Sequence, residues 1–166
     1  KKEQEVERIY KVYIEMLGKK GISKLIVRSV LPIINSEMAR LLDDVCDFEI
    51  EMDITEKNEV KFTIIRDHIV KDLKSSSGYE RTVSGLAIRC VLGKISNLPT
   101  PNFIVFDEVL GKVADSNMEY VKELMDKISD MYDTILFITH ENTVKDWAEN
   151  VITVVKKNNI STIHKN

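Results

Sequence analysis

Apolar residues at Val6, Ile9, Tyr10, Tyr13, Met16 and Leu17 recur at intervals of three and four among Glu, Lys and Arg, which predicts an amphipathic helix from Lys1 to about Leu17. The spacing suits either a coiled-coil seam or a helix on a domain surface, and under three heptads do not separate the two. Gly18-Lys19-Lys20-Gly21 breaks the pattern, and a second helical stretch runs from Ile22 to about Cys46. Pro32 lies inside it and is expected to begin a new helix or kink one, because proline has no N–H to give the preceding turn. The period then changes from helical to two. Phe48, Ile50, Met52 and Ile54 alternate with polar residues, "TEKNE" turns the chain, and Val60, Phe62 and Ile64 alternate back. This predicts an antiparallel hairpin with one buried face, and "IVKDL" offers a third strand.

Beyond a serine-rich stretch the pattern changes class again. A helix is expected from about Glu80 to Ile95, a loop at "NLPTPN", a strand at Phe103–Phe106 and a helix from about Ser116 to Met131. "TILFIT" (Thr134 to Thr139), a short helix around Trp147 and "VITVV" (Val151 to Val155) follow, and "NNISTIH" suits a closing edge hairpin. These strands are apolar without alternation, as in a parallel sheet buried on both faces. Strand, helix, strand, helix, strand is an α/β layer with crossovers. The expected divisions are 1–46 (helical), 47–73 (antiparallel strands) and 74–166 (α/β), within one incomplete domain.

Composition narrows the class. The 166 residues are 43% hydrophobic and 31% charged with a net charge of −3, so a basic coat for nucleic acid is excluded, although a local patch is not. Cys46 and Cys90 are far apart and belong to no Cys/His cluster, which argues against a structural zinc and for a reducing, intracellular compartment, cytoplasmic or nuclear. No apolar run reaches membrane-spanning length. The chain opens on Lys1-Lys2-Glu3 without methionine and reads as a piece of something longer.

Two places carry candidate chemistry. "SSSGYERT" leads directly into a helix, and a Ser/Gly-rich helix start offers free N–H groups and the positive end of the helix dipole to an anion. The plain alternative is a capping box, with Ser77 as N-cap and Glu80 closing it. Ligands of parallel sheets bind beyond the carboxyl ends of the strands. There "FIVFDE" ends in Asp107-Glu108 and "ILFITH" in Thr139-His140, so an acid pair and a histidine emerge from two strand ends. An aspartate so placed can hold Mg²⁺ through water, its neighbour can deprotonate an attacking water, and a histidine can bond a terminal phosphate. Taken singly, each is as easily a solvated loop start or a structural histidine.

Taken in order, these motifs resemble the C-terminal half of an ABC-type ATPase head: "SSSGYERT" a variant signature motif, "FIVFDE" a Walker B motif with its catalytic glutamate, "ILFITH" the His switch. The helical start and the hairpin before the signature resemble the SMC and DNA-repair branch, above all the SbcC family of double-strand-break repair ATPases and their tailed-phage counterparts. "KKGISKLIVRSVLPIINSEMARLL" is similar to the segment where those chains leave the coiled coil and re-enter the head. The resemblance implies that Ser77, Gly78, Tyr79 and Glu80 meet ATP held by an opposite protomer, with Arg81 the basic residue that follows. It further implies Mg²⁺ at Asp107, a catalytic base at Glu108, a γ-phosphate sensor at His140 and a D-loop aspartate at Asp115. Implied partners are the N-terminal half of the same head, a second copy of it, DNA and a metallophosphoesterase-type nuclease; no membrane is implied.

Three departures stand out. Ser76 and Tyr79 replace the signature's usual leucine and second glycine. Asp115 lies one residue later than usual. No GxxxxGK[ST] phosphate loop occurs among the six glycines, so the chain reads as half of a head, inactive alone. The same chemistry would serve an SMC-type chromosome-organising ATPase without a nuclease partner. A binding module that has lost hydrolysis is disfavoured by the intact Asp107, Glu108 and His140.

Overall fold

The computed structural model describes residues 2–18, 21–57, 59–99 and 101–165. Lys19 and Lys20 of the expected break, Asn58 of the expected turn, Thr100 of the expected loop and the terminal Lys1 and Asn166 lie outside the described residues. The chain divides into two compact units, 1–100 and 101–166. The mixed α/β class expected from the sequence is found, with antiparallel and parallel ladders.

The first unit begins with α1 (Lys2–Leu17), whose apolar positions stay in solvent: Ile9, Tyr10 and Leu17 are each 63% exposed. A turn through Gly18 leads into α2 (Ile22–Leu42), and Gly21 is required there because a Cβ would lie 2.1 Å from the Met16 carbonyl oxygen. Pro32 neither starts a helix nor ends one; α2 runs through it. The reason is packing. Leu25 and Ile26 well ahead of the proline are exposed, whereas Leu31 just before it and Ile34, Met38, Leu41 and Leu42 after it are buried, and that buried stripe carries the helix past one lost bond. The helix ends at Leu42, four residues before the expected Cys46.

β1 (Glu49–Ile54), β2 (Val60–Arg66) and β3 (Ile69–Asp72) form an antiparallel sheet in that order, so the third strand is present. Asp67 and His68 both have positive φ and close β2 to β3 in a two-residue turn whose twist suits a hairpin. Ile50, Met52 and Ile54 are buried as their alternation predicts. On β2 only Ile64 is fully buried; Val60 is 53% exposed, because the β2–β3 ladder stops at Thr63↔Asp72 and does not reach it. The Asn35 side chain takes the place of a neighbouring strand at β1, donating to the Met52 carbonyl (3.1 Å) and accepting from its N–H (2.9 Å). A 3-10 turn (Leu73–Ser75) leads to α3 (Gly78–Ile95), which buries Val83, Leu86, Ala87, Cys90 and Val91 in the core shared with α2. Desolvation there pushes the Cys90 thiol up to about 11, so it stays protonated and inert.

In the second unit β4 (Phe103–Asp107) and β5 (Thr134–Ile138) pair in parallel from Phe103↔Thr134 to Asp107↔Ile138, with α4 (Met118–Ser129) in the crossover. α4 buries Val121, Leu124, Met125 and Ile128, the i, i+3, i+4, i+7 set of one helix face. The short helix α5 (Asn142–Lys145) ends before Trp147, which instead packs edge-on against Phe137. β6 (Ile152–Lys157) and β7 (Ile160–Lys165) form a hairpin through Asn158 and Asn159, both at positive φ. "VITVV" was expected in the parallel layer; among the described residues β6 pairs only with β7. The strands are also not buried on both faces. Phe103, Val105, Leu136 and Ile138 are 44–57% exposed, while Phe106 on the opposite face is buried. The run of apolar residues fits a sheet covered twice, and these strands are covered once.

Candidate functional site

Ser77, Gly78, Tyr79 and Glu80 lie in the first unit, and Asp107, Glu108, Asp115 and His140 in the second, so two half-sites are described.

The first half-site is the start of α3. The capping box is present: Ser77 Oγ accepts from the Glu80 N–H (3.2 Å) and a Glu80 carboxylate oxygen accepts from the Ser77 N–H (2.8 Å). The serine is exposed, and its hydroxyl lies close enough to the Glu80 carboxylate to donate to it as well. Gly78, first in the helix, has an N–H with no acceptor among the described residues. Tyr79, where the signature resemblance has glycine, packs edge-on against Phe48 at 6.2 Å. Glu80 is 3% exposed and takes Lys71 Nζ on both oxygens (2.8 and 3.0 Å) and Arg66 at 3.2 Å. Burial pushes the Glu80 pKa up, but hydrogen bonds from Lys71, the Ser77 N–H and the Ser77 hydroxyl outweigh it and hold the carboxyl at about 2. Lys71 and Arg66 escaped the sequence reading, since only the β2–β3 register brings them to Glu80.

The second half-site sits at the carboxyl ends of β4 and β5. Glu108 has φ 49°, a left-handed conformation costly for a residue with a side chain. Its N–H donates to the Ile138 carbonyl (2.9 Å), which extends the ladder by one bond while the chain turns away. The Glu108 carboxylate meets His140 Nδ1 at 2.9 Å, so the acid and the histidine are brought together as expected from adjacent strand ends. Glu141, not singled out from the sequence although adjacent in "THEN", places an oxygen 3.7 Å from the other ring nitrogen. The hydrogen bond that His140 donates to Glu108, the charge of Glu108 and the charge of Glu141 raise the His140 pKa above its ordinary value. Asp107 is exposed and makes no hydrogen bond or ion pair among the described residues. Asp115 opens an exposed 3-10 turn (Asp115–Asn117) just before α4.

Among the described residues no three His, Cys, Asp or Glu side chains gather to hold a metal. A single uncommitted carboxylate fits Mg²⁺, which is commonly held by one or two carboxylates, water and substrate phosphates. It does not fit a metal caged by protein alone.

The fold is similar to that of solved SMC head domains. The chain is similar to a solved chain from work on ATP-driven dimerization and DNA-stimulated activation of SMC ATPases (TM-score 0.71, 17% identity, covering 86% of this chain and 89% of that one). It is also similar to the SMC head domain from Thermotoga maritima (TM-score 0.59, 23% identity, 89% and 54%). A third similar structure is an Smc head bound to the C-terminal winged-helix domain of ScpA (TM-score 0.66, 18% identity, 84% and 44%). In sequence it is 28% identical over 174 residues to the uncharacterized protein R555 of Acanthamoeba polyphaga mimivirus. That match covers 95% of this chain, and the chain spans 13% of the length of that relative. No family model matches.

Proposed function

We propose that this chain is the C-terminal half of an ATP-hydrolysing head that dimerises around ATP. The observation that carries the reading is the Glu108–His140 pair at the ends of adjacent parallel strands, with Asp107 uncommitted beside it. In that reading Asp107 would hold Mg²⁺, whose chemistry is to neutralise charge on the β- and γ-phosphates. Glu108 accepts a proton from the attacking water, and its left-handed backbone holds the carboxylate beyond the strand end. His140, donating to Glu108 through Nδ1, fixes the direction of that carboxylate. Ser77 and Gly78 present an O–H and an N–H to a phosphate from the partner copy, and Asp115 belongs to the same dimer contact. The phosphate loop would come from an N-terminal half of the head, against which the exposed face of β4 and β5 would pack.

The finer reading is a DNA-repair ATPase of the SbcC kind, binding DNA and regulating a metallophosphoesterase-type nuclease. It rests on the signature and hairpin resemblance. The chromosome-organising alternative is favoured by the likeness to SMC heads, one of which was solved bound to ScpA. The test is Glu108→Gln in the longer protein. ATP binding is expected to persist while hydrolysis falls ~10²–10⁴-fold, the usual loss with a general base. Hydrolysis at the parent rate would reduce Glu108 to an ordinary loop acid. Co-purification with or without a nuclease separates the two finer readings.

A further inference from the structure

The capping box of α3 sets up a competition for one proton. Glu80 Oε2 accepts from the Ser77 N–H at 2.8 Å, and the Ser77 hydroxyl lies within reach of the same carboxylate. A hydroxyl drawn to Glu80 has no proton for an outside acceptor, because serine carries only one. Charge adds a second obstacle. Glu80 is ionised and 3% exposed at the helix start, where its charge opposes the approach of any anion. A capping box by itself needs no such charge, since glutamine closes one as well.

Two cations answer both points. Arg66 lies two positions beyond Ile64 on β2, and Lys71 of β3 stands opposite Ile64, so the three share one face of the sheet. From that face Lys71 Nζ bonds both Glu80 oxygens, at 2.8 and 3.0 Å, and a terminal nitrogen of Arg66 lies 3.2 Å from Oε1. A carboxylate offers about four lone-pair sites. Lys71 on both oxygens, Arg66 on one and the Ser77 N–H on the other fill them. The Ser77 hydroxyl is left as a surplus donor, and the charge that opposes an anion is paired. Asp47, which meets Arg66 at 2.7 Å, has a side chain 74% exposed, so water screens its own charge.

We propose that Lys71 and Arg66 are positioning residues for the phosphate contact: by filling the Glu80 carboxylate they leave the Ser77 O–H to the incoming phosphate oxygen. The proposal rests on the reading of Ser77 and Gly78 given above. Glu80 itself then meets no phosphate. The test uses the longer protein and a slowly hydrolysed ATP analogue, with dimerisation followed by sedimentation. In Lys71→Gln the analogue concentration at the midpoint is expected to rise at least about tenfold, the scale of one uncompensated charge close to a phosphate. Lys71→Arg keeps the charge and is expected to stay near the parent value. Adding Glu80→Gln to Lys71→Gln is expected to bring the midpoint back toward the parent, because the competing acceptor has lost its charge. A role confined to the stability of the fold gives no such recovery. Should Lys71→Gln fail to fold, Arg66→Gln carries the same comparison with Lys71 in place. An unchanged midpoint in the folded variant, or a raised one that Glu80→Gln does not recover, would overturn the proposal and leave the ATPase reading standing. A parent protein that does not dimerise with the analogue would overturn that reading and this proposal with it.

Discussion

Glu80 illustrates how one side chain serves two neighbours. Its carboxylate closes the cap of α3 and is locked to Lys71 and Arg66 of the sheet, so the helix start is bolted to β2 and β3. With a carboxyl held at about 2 against an ordinary 4.5, the folded-state pKa is depressed. Its contribution is therefore present above pH 4.5 and lost as pH falls toward 2, on the order of 3 kcal/mol in full. Glu80→Gln is expected to lower the melting temperature at pH 7 and to flatten the acid limb of stability between those values, read by circular dichroism. His140 runs the other way: its raised pKa gives a contribution present below about pH 6.5 and lost as pH rises through the folded value. Glu108→Gln is expected to bring the His140 titration down, measured by NMR of the ring protons. For Ser77 the two roles predict different losses. Ser77→Ala removes the cap and lowers stability by ~0.5–2 kcal/mol. Ser77→Arg in the longer protein is expected to bind ATP but fail to dimerise with it, read by sedimentation with a slowly hydrolysed analogue. A destabilised variant that still dimerises would leave Ser77 as a cap only.

At the scale of elements, α1 and the start of α2 form an arm whose apolar residues Ile9, Tyr10, Leu17, Leu25 and Ile26 are exposed. From Leu31 onward α2 instead carries a buried stripe, Leu31, Ile34, Met38, Leu41 and Leu42, that builds the core. The turn joining the arm has no room for a side chain at Gly21. Gly21→Ala is expected to shift the α1–α2 geometry and lower the helical signal of the arm, while the exchange protection of Ile64 and Val83 in the core stays unchanged. Loss of protection there would mean that the turn supports the core as well. The β6–β7 hairpin is decided locally by Asn158-Asn159, which accept positive φ more readily than most residues.

At the scale of the whole molecule, the sequence holds no GxxxxGK[ST] phosphate loop, and the β4–β5 sheet of the second unit keeps one apolar face in solvent. The chain by itself is expected to show neither tight ATP binding nor Mg-ATPase activity. Robust turnover by the purified 166-residue chain, abolished by Glu108→Gln, would overturn the half-head reading. Adding the N-terminal half is expected to bury Phe103, Val105, Leu136 and Ile138, which slowed exchange along β4 and β5 would report.

The sequence by itself determined most of the elements and the placing of acidic residues and a histidine at the strand ends. Periods of 3.6 and 2 are written directly in side-chain polarity, so the helices, the hairpin and its buried face at Ile50, Met52 and Ile54 were legible. Asp107-Glu108 and His140 were legible because strand ends are where parallel sheets present polar groups. Tertiary structure decided whatever depends on register or cover. Lys71 and Arg66 reach Glu80 only through the pairing of β2 with β3, a long-range choice that no local pattern encodes. Pro32 stays within a helix because packing outweighs one lost hydrogen bond. The apolar runs of β4, β5 and β6 speak of burial on both faces, and a run of valines and isoleucines cannot say which neighbour supplies the second cover.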